Sequence, residues 1–467
     1  MNKPSVKLPS ILQRSLALVT VAGCLAMLYG AAVGSPMATD YFRKLGFTEV
    51  HFGILSGIPM IMVSFQFLGA LWSNRLRSRR AVFMWLIISG RIMWLGVVLT
   101  PLIPGLAVST RIALMLVMLA LSNLLQNIGP PIWFSWMGDL IPRRIISRYW
   151  GGRVRWQQIV WLIAYIPLTV FGFKYASLGL TLPEAFTIVV ICGVLAGVVD
   201  IILFLWIHEP EPAPVHVRPI LETILEPMRQ PQFRSYMIWN CAYAASAMIA
   251  AVFMLLYVLK VLGLPLWQVM IIWWTPGIGS ALGAKPLGKL IDRYGSRPVL
   301  VLCTALKPLA PLIFFFITKE TAFWGLSIFF IADNMLNVGQ QLSTNGFMLR
   351  MAPRENRGMF AAAIASLPGL AGGLSAIVGG VLLQLWEGHD IGLFGHTWNN
   401  YQYLFLLSTV LRILCIPLAL RIKEPESAHP RDVIAAIIED WPSRMVALPA
   451  LIFRRLNAPR HHEKKDD

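Results

Sequence analysis

Charge is scarce in this chain. Charged residues fill 13% of its 467 positions, against about 25% in soluble globular proteins. That shortage excludes a soluble protein of two or three domains, because a polar surface of that extent needs more ionic groups. Acids are the scarcer sign: 23 Asp and Glu stand against 40 Lys and Arg, a net charge of +17. Cysteine is limited to five residues (Cys24, Cys192, Cys241, Cys303, Cys415), scattered through apolar stretches without ligand spacing. They read as small packing residues, not as disulfides or metal ligands. No Ser/His/Asp set, paired carboxylates or ligand cluster lies in those stretches, so an enzyme is not expected, nor a cofactor or metal. His461 and His462, adjacent in the tail, are weak grounds for a metal site.

What the chain has in excess is apolar length: 57% of its residues are hydrophobic. Runs of about 20 such residues recur along it, each enough to cross the hydrocarbon core of a bilayer. Twelve spans are expected, near 15–38, 49–73, 81–101, 108–136, 156–176, 184–207, 236–261, 267–290, 298–317, 322–347, 359–386 and 399–421. The first has basic residues before it but an apolar run longer than a secretory signal, so it is expected to be retained.

Most Lys and Arg fall in the loops and tails on the side of the termini. The opposite loops hold only Arg43, Lys44, Arg111, Lys174, Lys260 and Lys319, while Arg91, Lys307 and Arg412 fall inside spans. This asymmetry follows the positive-inside rule. It predicts an integral plasma (cytoplasmic) membrane protein with both termini cytoplasmic, and it assigns the basic surplus to topology, which excludes nucleic acid as a partner. Membrane lipids and a small-molecule solute are the expected partners, and the chain is expected to be a monomer.

The sequence is written twice. "YFRKLGFTEVHFGIL" from 41 resembles "YVLKVLGLPLWQVMII" from 257, and "ALWSNRLRSRR" from 70 matches "GKLIDRYGSRP" from 288. "GDLIPRRIISRYWG" from 138 resembles "LRMAPRENRGMF" from 349, which pairs Pro142 with Pro353 at a shift of 211 residues. Six spans per copy is an even number, so both copies enter the membrane in the same sense. The expected organisation is residues 1–207 as an N-terminal six-helix half, 208–234 as a Pro-rich cytoplasmic linker with one short helix at 219–229, 235–422 as a C-terminal half, and 423–467 as a cytoplasmic tail. Within that tail, 432–456 reads either as an interfacial helix or as disordered chain.

These features resemble the major facilitator superfamily over about residues 15–422. The most specific motif is the loop "GKLIDRYGSRP", similar to the family's G-x-x-x-D-R-x-G-R-[KR] through Gly288, Asp292, Arg293, Gly295 and Arg297. Its counterpart carries Asn74, Arg75 and Arg79, with Asn74 in place of the aspartate. The resemblance implies an all-α polytopic membrane protein, twelve transmembrane helices in two pseudo-symmetric six-helix bundles. It also implies that both loops act as cytoplasmic latches that hold the outward-facing state, the first more weakly for want of a carboxylate. Small-xxx-small patterns at Gly53/Gly57, Gly279/Gly283 and Gly369/Gly373 allow close backbone approach, and in the family spans 2, 8 and 11 lie between the halves. Span 5 lacks the Gly-Pro-Gly-Gly signature of many proton-linked drug antiporters.

One stretch conflicts with its apolar surroundings. "FIADNMLNVGQQLSTNGF" (330–347) places Asp333, Asn337, Gln340, Gln341 and Thr344 on one helical face, with Asn334 and Asn345 beside it. The 211-residue shift lays Asn123 on Asn334 and Gln126 on Asn337, with Asn127 next to them. A single amide in a span is usually interhelical glue; amides at matching depth in two repeat-related spans point to the lining of a midplane cavity. Tyr29, Asn123, Gln126, Asn127, Asn240, Asp333, Asn334, Asn337 and Gln341 are the candidate substrate-binding residues, and Tyr243 a companion. Pro130 and Pro131 are expected to break span 4 at the cavity. Asp333 has two readings: a proton-coupling carboxylate, or half of an ion pair with Lys307, Arg91 or Arg412. Asp200 reads as structural. The expected function is secondary active transport of a small polar organic solute by alternating access, with protons as the candidate coupling ion. The alternatives are an amphiphile or drug exporter, and a non-transporting receptor or assembly partner.

Overall fold

A backbone inside hydrocarbon has no water to bond, so each apolar run must satisfy its own N–H and C=O groups by forming helix. The computed structural model shows this along the chain. It describes residues 10–424 and 427, without 74–75, 77, 143–144, 211–225, 227, 352–356, 390 and 394–395. Most of the linker, including most of the helix expected at 219–229, and the tail segment 432–456 therefore lie outside the described residues.

Eleven described helices are long and apolar enough to cross a membrane. In the N-terminal half these are span 1 (Ser10–Lys44), span 2 (Glu49–Ser73), span 3 (Arg79–Leu102), span 4 (Val108–Leu140), span 5 (Tyr149–Leu178) and span 6 (Leu182–Trp206). In the C-terminal half they are span 7 (Pro231–Lys260), span 9 (Ser296–Phe315), span 10 (Lys319–Phe347), span 11 (Ala362–Leu385) and span 12 (Asn400–Leu420). The twelfth crossing, span 8, is made in two pieces, Leu266–Trp274 and Pro276–Tyr294. Pro276 has no N–H for the helical ladder, and the second piece ends in the basic latch sequence, so neither piece alone is long and apolar enough.

One expectation is corrected. Span 4 runs as helix straight through Pro130 and Pro131. The two prolines remove donors only from the turn above them, and packing on both sides keeps the axis intact: the Gly69 backbone of span 2 lies against the Ile128 carbonyl. The all-α architecture holds, with a short antiparallel hairpin, β1 Ile391–Leu393 and β2 His396–Trp398, in the connection between spans 11 and 12.

The hydrophobic packing defines the shape of the molecule. At the end away from the termini, one core joins both halves: Tyr41, Phe42 and Phe186 cluster with Phe253, Tyr257 and Phe314. At the terminus end each half has its own core. Phe83, Trp136 and Phe204 serve the first, and Phe233, Tyr236 and Phe360 the second. Span 5 packs on the outer piece of span 8, while spans 2 and 11 stay together along their length. The halves thus close at one end and separate at the other.

The small-residue patterns divide accordingly. Gly53 and Gly57 face the span 11 backbone at Ala376 and Gly373, and Gly369 faces Met60. These make the seam between halves. Gly279 and Gly283 instead press on Ile331 and Met335 of span 10, and so hold span 8 within its own half.

Candidate functional site

The polar groups of the spans fall into two networks, one per half. In the first, Arg91 of span 3 forms a buried ion pair with Asp200 of span 6 and donates to the Gly197 carbonyl. The Tyr29 ring of span 1 lies 4.8 Å from the same guanidinium. The Tyr29 hydroxyl accepts from Gln126 Nε2 at 3.1 Å, and Gln126 also reaches Ser122 Oγ at 2.9 Å. Ser122 in turn donates to the Gly90 carbonyl at 2.6 Å. Four spans are tied by one chain of bonds.

In the second half, Lys307 of span 9, 4% exposed, donates to Asp333 Oδ1 of span 10 at 2.7 Å. The other carboxylate oxygen accepts from Asn337 at 3.3 Å, and Asn337 also donates to Asn334 Oδ1 at 3.2 Å. Arg412 of span 12 donates to the Lys307 carbonyl at 3.1 Å. Asn334 donates to the Pro276 carbonyl at 2.6 Å and to Ser280 Oγ, which pins span 10 to the interruption in span 8. Gln340 turns away and bonds Thr304 at 3.4 Å.

The two networks occupy matching positions of the repeat. Tyr29 corresponds to Tyr243, Arg91 to Lys307, Ser122 to Asp333, Gln126 to Asn337 and Asp200 to Arg412, all at shifts of 211 to 216 residues. The charges differ: the N-terminal set holds one cation and one anion, the C-terminal set two cations and one anion.

Other candidates are less engaged. Asn123 and Asn127 bond the carbonyls one turn back, Leu119 at 2.8 Å and Asn123 at 2.9 Å, and Asn127 also accepts from Gln66 at 3.3 Å. Asn240 is half-buried, and Asn337 and Gln341 are exposed although they lie deep in span 10. An exposed amide at that depth faces either lipid or an aqueous opening, and the desolvation cost of a primary amide favours the opening. That cost distinguishes Asn337 and Gln341 from the half-buried Asp333 and Asn334 beside them.

Among the described residues, no latch residue bridges the halves. Asn74 and Arg75 lie outside the described residues. Arg79 is buried and reaches Asp139 at 2.7 Å and Ser135 at 3.1 Å, both on span 4. Asp292 and Arg293 are exposed, with Arg293 over its neighbour Tyr294, and Gly288 has open space where a side chain would project. Gly295 sits at φ +94°, a conformation that only glycine adopts without strain, which accounts for its place in the motif. The Arg297 N–H donates to Glu424 at 2.7 Å.

Glu424 has a counterpart that the sequence reasoning missed. Glu209 accepts from the Arg79 and Arg80 N–H groups at 2.6 and 3.0 Å and from Ser78 Oγ at 3.0 Å. Each carboxylate caps the helix that follows its half's basic loop, where the helix dipole favours negative charge. The signal was present: "IHEPE" at 207–211 and "IKEPE" at 422–426 repeat the same pattern.

A second missed group closes the far end. Glu49, at the start of span 2, pairs with Lys260 at the end of span 7 and accepts from Tyr401 Oη at 3.1 Å. It is the ionic tie between halves among the described pairs. Lys260 is 45% exposed, so solvent screens the pair and its worth is about 1 kcal/mol at most. Glu49→Gln keeps the shape and removes the charge. It is expected to shift the balance toward a state open at this end by up to about fivefold, read as a change in distance between spin labels placed on the two outer rims.

Comparison with known proteins follows from this geometry. The sequence model described as Major Facilitator Superfamily matches residues 19–375 and 275–457. No curated protein matches the sequence. Among solved structures, the chain is similar to a point mutant of the nucleoside transporter NupG at TM-score 0.68 and 13% identity, covering 89% of this chain and 100% of that one. It is similar to a bacterial homolog of the human lysosomal transporter Spinster, in an inward-facing and occupied conformation, at TM-score 0.64 and 15% identity, over 91% and 100% of the two chains. A bacterial metal transporter aligns at TM-score 0.58 and 13% identity, over 89% and 99%. At such identities the likeness concerns the fold.

Proposed function

This chain belongs to the Major Facilitator Superfamily, and on that premise we propose that it moves a small polar organic solute across its membrane by alternating access, with Asp333 coupling the movement to protons. Membrane transport itself is supported by the family and by the transporters that share the fold. The finer reading rests on one observation. The halves share a core at one end and part at the other, and the exposed amides Asn337 and Gln341 stand on the parted side, next to Asp333.

Asp333 is suited to coupling because its two oxygens are held by different partners. Lys307 holds one carboxylate oxygen and the exposed Asn337 the other. A proton arriving on the oxygen next to Asn337 would cancel the attraction to Lys307 and free the ammonium to reorient. Span 10, also bonded through Asn334 to the interruption in span 8, then carries the change to the element that separates from span 5. The halves 1–207 and 235–422 serve as the rocking units, linker 208–234 joins them, and both termini face the cytoplasm. The latch set Arg79, Gly288, Asp292, Arg293 and Arg297, with Asn74 and Arg75, acts when the terminus end closes.

Uptake into proteoliposomes under an imposed pH gradient tests this. Wild-type flux of the transported solute should rise with the gradient, and in Asp333→Asn the gradient-driven part should fall by about tenfold or more, the scale of a typical coupling free energy. Retained gradient dependence in that variant would remove Asp333 from the role. Failure of a broad solute panel to show any flux would remove transport of polar solutes.

A second reading has its own observation. A crevice of about 270 Å³ between spans 5 and 8 is lined by Tyr165, Ile166, Thr169, Val170, Ile271 and Trp274. Ile166 and Val170 are exposed on the outer surface of the bundle, so this crevice opens toward lipid and would admit an amphiphile. Export of an amphiphile would then be blocked by Thr169→Trp, while uptake of polar solutes would be unaffected.

A further inference from the structure

Both carboxylates that lie deep in the spans are already taken: Asp200 by Arg91, and Asp333 by Lys307. Two further cations form no ion pair among the described residues, Arg412 deep in span 12 and Arg153 one turn into span 5. Arg412, 3% exposed, has a single hydrogen bond, to the Lys307 carbonyl, and its Nε is buried without a partner. It stands where the repeat places Asp200 in the other half, so an anion there has been exchanged for a cation. Arg153 of span 5 lies with its guanidinium 5.0 Å from the Trp133 ring and 5.2 Å from the Trp150 ring. Its Nε is also buried without a partner, and it approaches the span 1 backbone at Gly23.

Positive-inside topology accounts for Arg153, which lies one turn into span 5 on the side of the termini, but not for Arg412, deep in span 12. Structural pairing does not account for Arg412, since the neighbouring Asp333 is taken by Lys307; Arg153 lies within the field of Asp200 but forms no ion pair among the described residues. An uncompensated guanidinium at membrane depth is costly and marks a pathway for a charged substrate. Guanidinium groups present forked donors that match carboxylate and phosphate oxygens. Arg153 belongs to the wall of the first half, and Arg412 stands behind Lys307 and Asp333 in the wall of the second.

We propose that the transported solute is an organic anion, whose carboxylate or phosphate group is drawn into the cavity and held by the field of Arg153 and of the Lys307–Arg412 pair. This rests on the transport reading above, and a measurement of cavity potential separates the two. In the full chain, with Cys24, Cys192, Cys241, Cys303 and Cys415 replaced by Ala or Ser, Asn337→Cys supplies one thiol on the parted side. Its labelling is timed with an anionic reagent (2-sulfonatoethyl methanethiosulfonate) and a cationic one (2-trimethylammonioethyl methanethiosulfonate), each rate divided by that for a free thiol.

The anionic reagent should then be favoured by about tenfold or more, the local enrichment that a charged cleft produces. Arg153→Gln and Arg412→Gln should each lower that ratio, and Arg412→Lys should restore it. Arg153, which is less buried, keeps the test usable where Arg412→Gln fails to fold. Preference for the cationic reagent, or a ratio unmoved by Arg153→Gln, overturns the anion proposal alone. A thiol inert to both reagents shows no aqueous opening and overturns the transport reading with it. At constant ionic strength, slowing by acetate but not by inorganic phosphate assigns a carboxylate, and the converse a phosphate. If neither slows labelling more than chloride does, the field is not a binding site and the proposal fails.

Discussion

Lys307→Met should destabilise the protein by about 3–5 kcal/mol, the usual cost of removing one partner from a buried ion pair. The substitution keeps the apolar stem and deletes the ammonium that reaches Asp333 Oδ1 at 2.7 Å. The remaining carboxylate would hold only its weak contact with Asn337, at 3.3 Å, in a region where an isolated charge is expensive. Lys307→Met with Asp333→Leu removes both charges and should return stability to near the wild-type value, because desolvation of a buried pair offsets most of its Coulomb gain. Thermal unfolding in detergent of the two singles and the double closes the cycle. Additive losses would show that the two side chains do not act as a pair. The same double variant should remain unable to couple flux to a pH gradient, which separates the role in stability from the role in coupling.

The second large effect concerns the seam between halves. A Cβ added to Gly57 would lie 2.7 Å from the Gly373 carbonyl oxygen and 3.0 Å from Ile377 Cγ1. The first contact is with backbone, so no rotamer change relieves it, and spans 2 and 11 must move apart. Gly57→Val should therefore cost about 1–3 kcal/mol, the range for overpacking a tight contact. Flux should be lost more completely than stability, because spans 2 and 11 are the elements that stay together along their length while the halves part elsewhere. Gly138→Ala is the control, since nothing lies within 4 Å of its added carbon. A Gly57→Val protein with normal flux would show that the seam tolerates separation and is not the pivot.

How much of this was legible in the sequence follows from which forces act locally. The spans were legible because hydrocarbon demands long apolar helices regardless of partners. The duplication was legible because Pro142 and Pro353 fix a shift that also aligns Asn123 with Asn334. Slightly larger shifts, 216 and 212 residues, match Arg91 with Lys307 and Asp200 with Arg412, and would have exposed the exchange of sign between halves. The choice of Lys307 over Arg91 or Arg412 as the partner of Asp333 was not legible, since it depends on which spans pack together. Glu49 and Lys260 are 211 residues apart and meet only when the two halves close, so no local pattern announces them. Span 8 shows the opposite failure. Its composition reads as one crossing, and Pro276 looks like any other proline in an apolar run until its place opposite Asn334 is known.

That interruption has a mechanical consequence. The piece of span 8 before Pro276 packs on both span 5 and span 10, and the piece after it packs on span 10. A rigid rod spanning both would transmit every displacement of one end to the other. A rod that keeps helical angles at Thr275 but lacks one donor at Pro276 is softest at that point, so the inner piece can bend with its own bundle while the outer piece keeps its contacts. The stiffness of the molecule is thereby lowest at one peptide unit, and its opening need not disturb the aromatic plug at the far end.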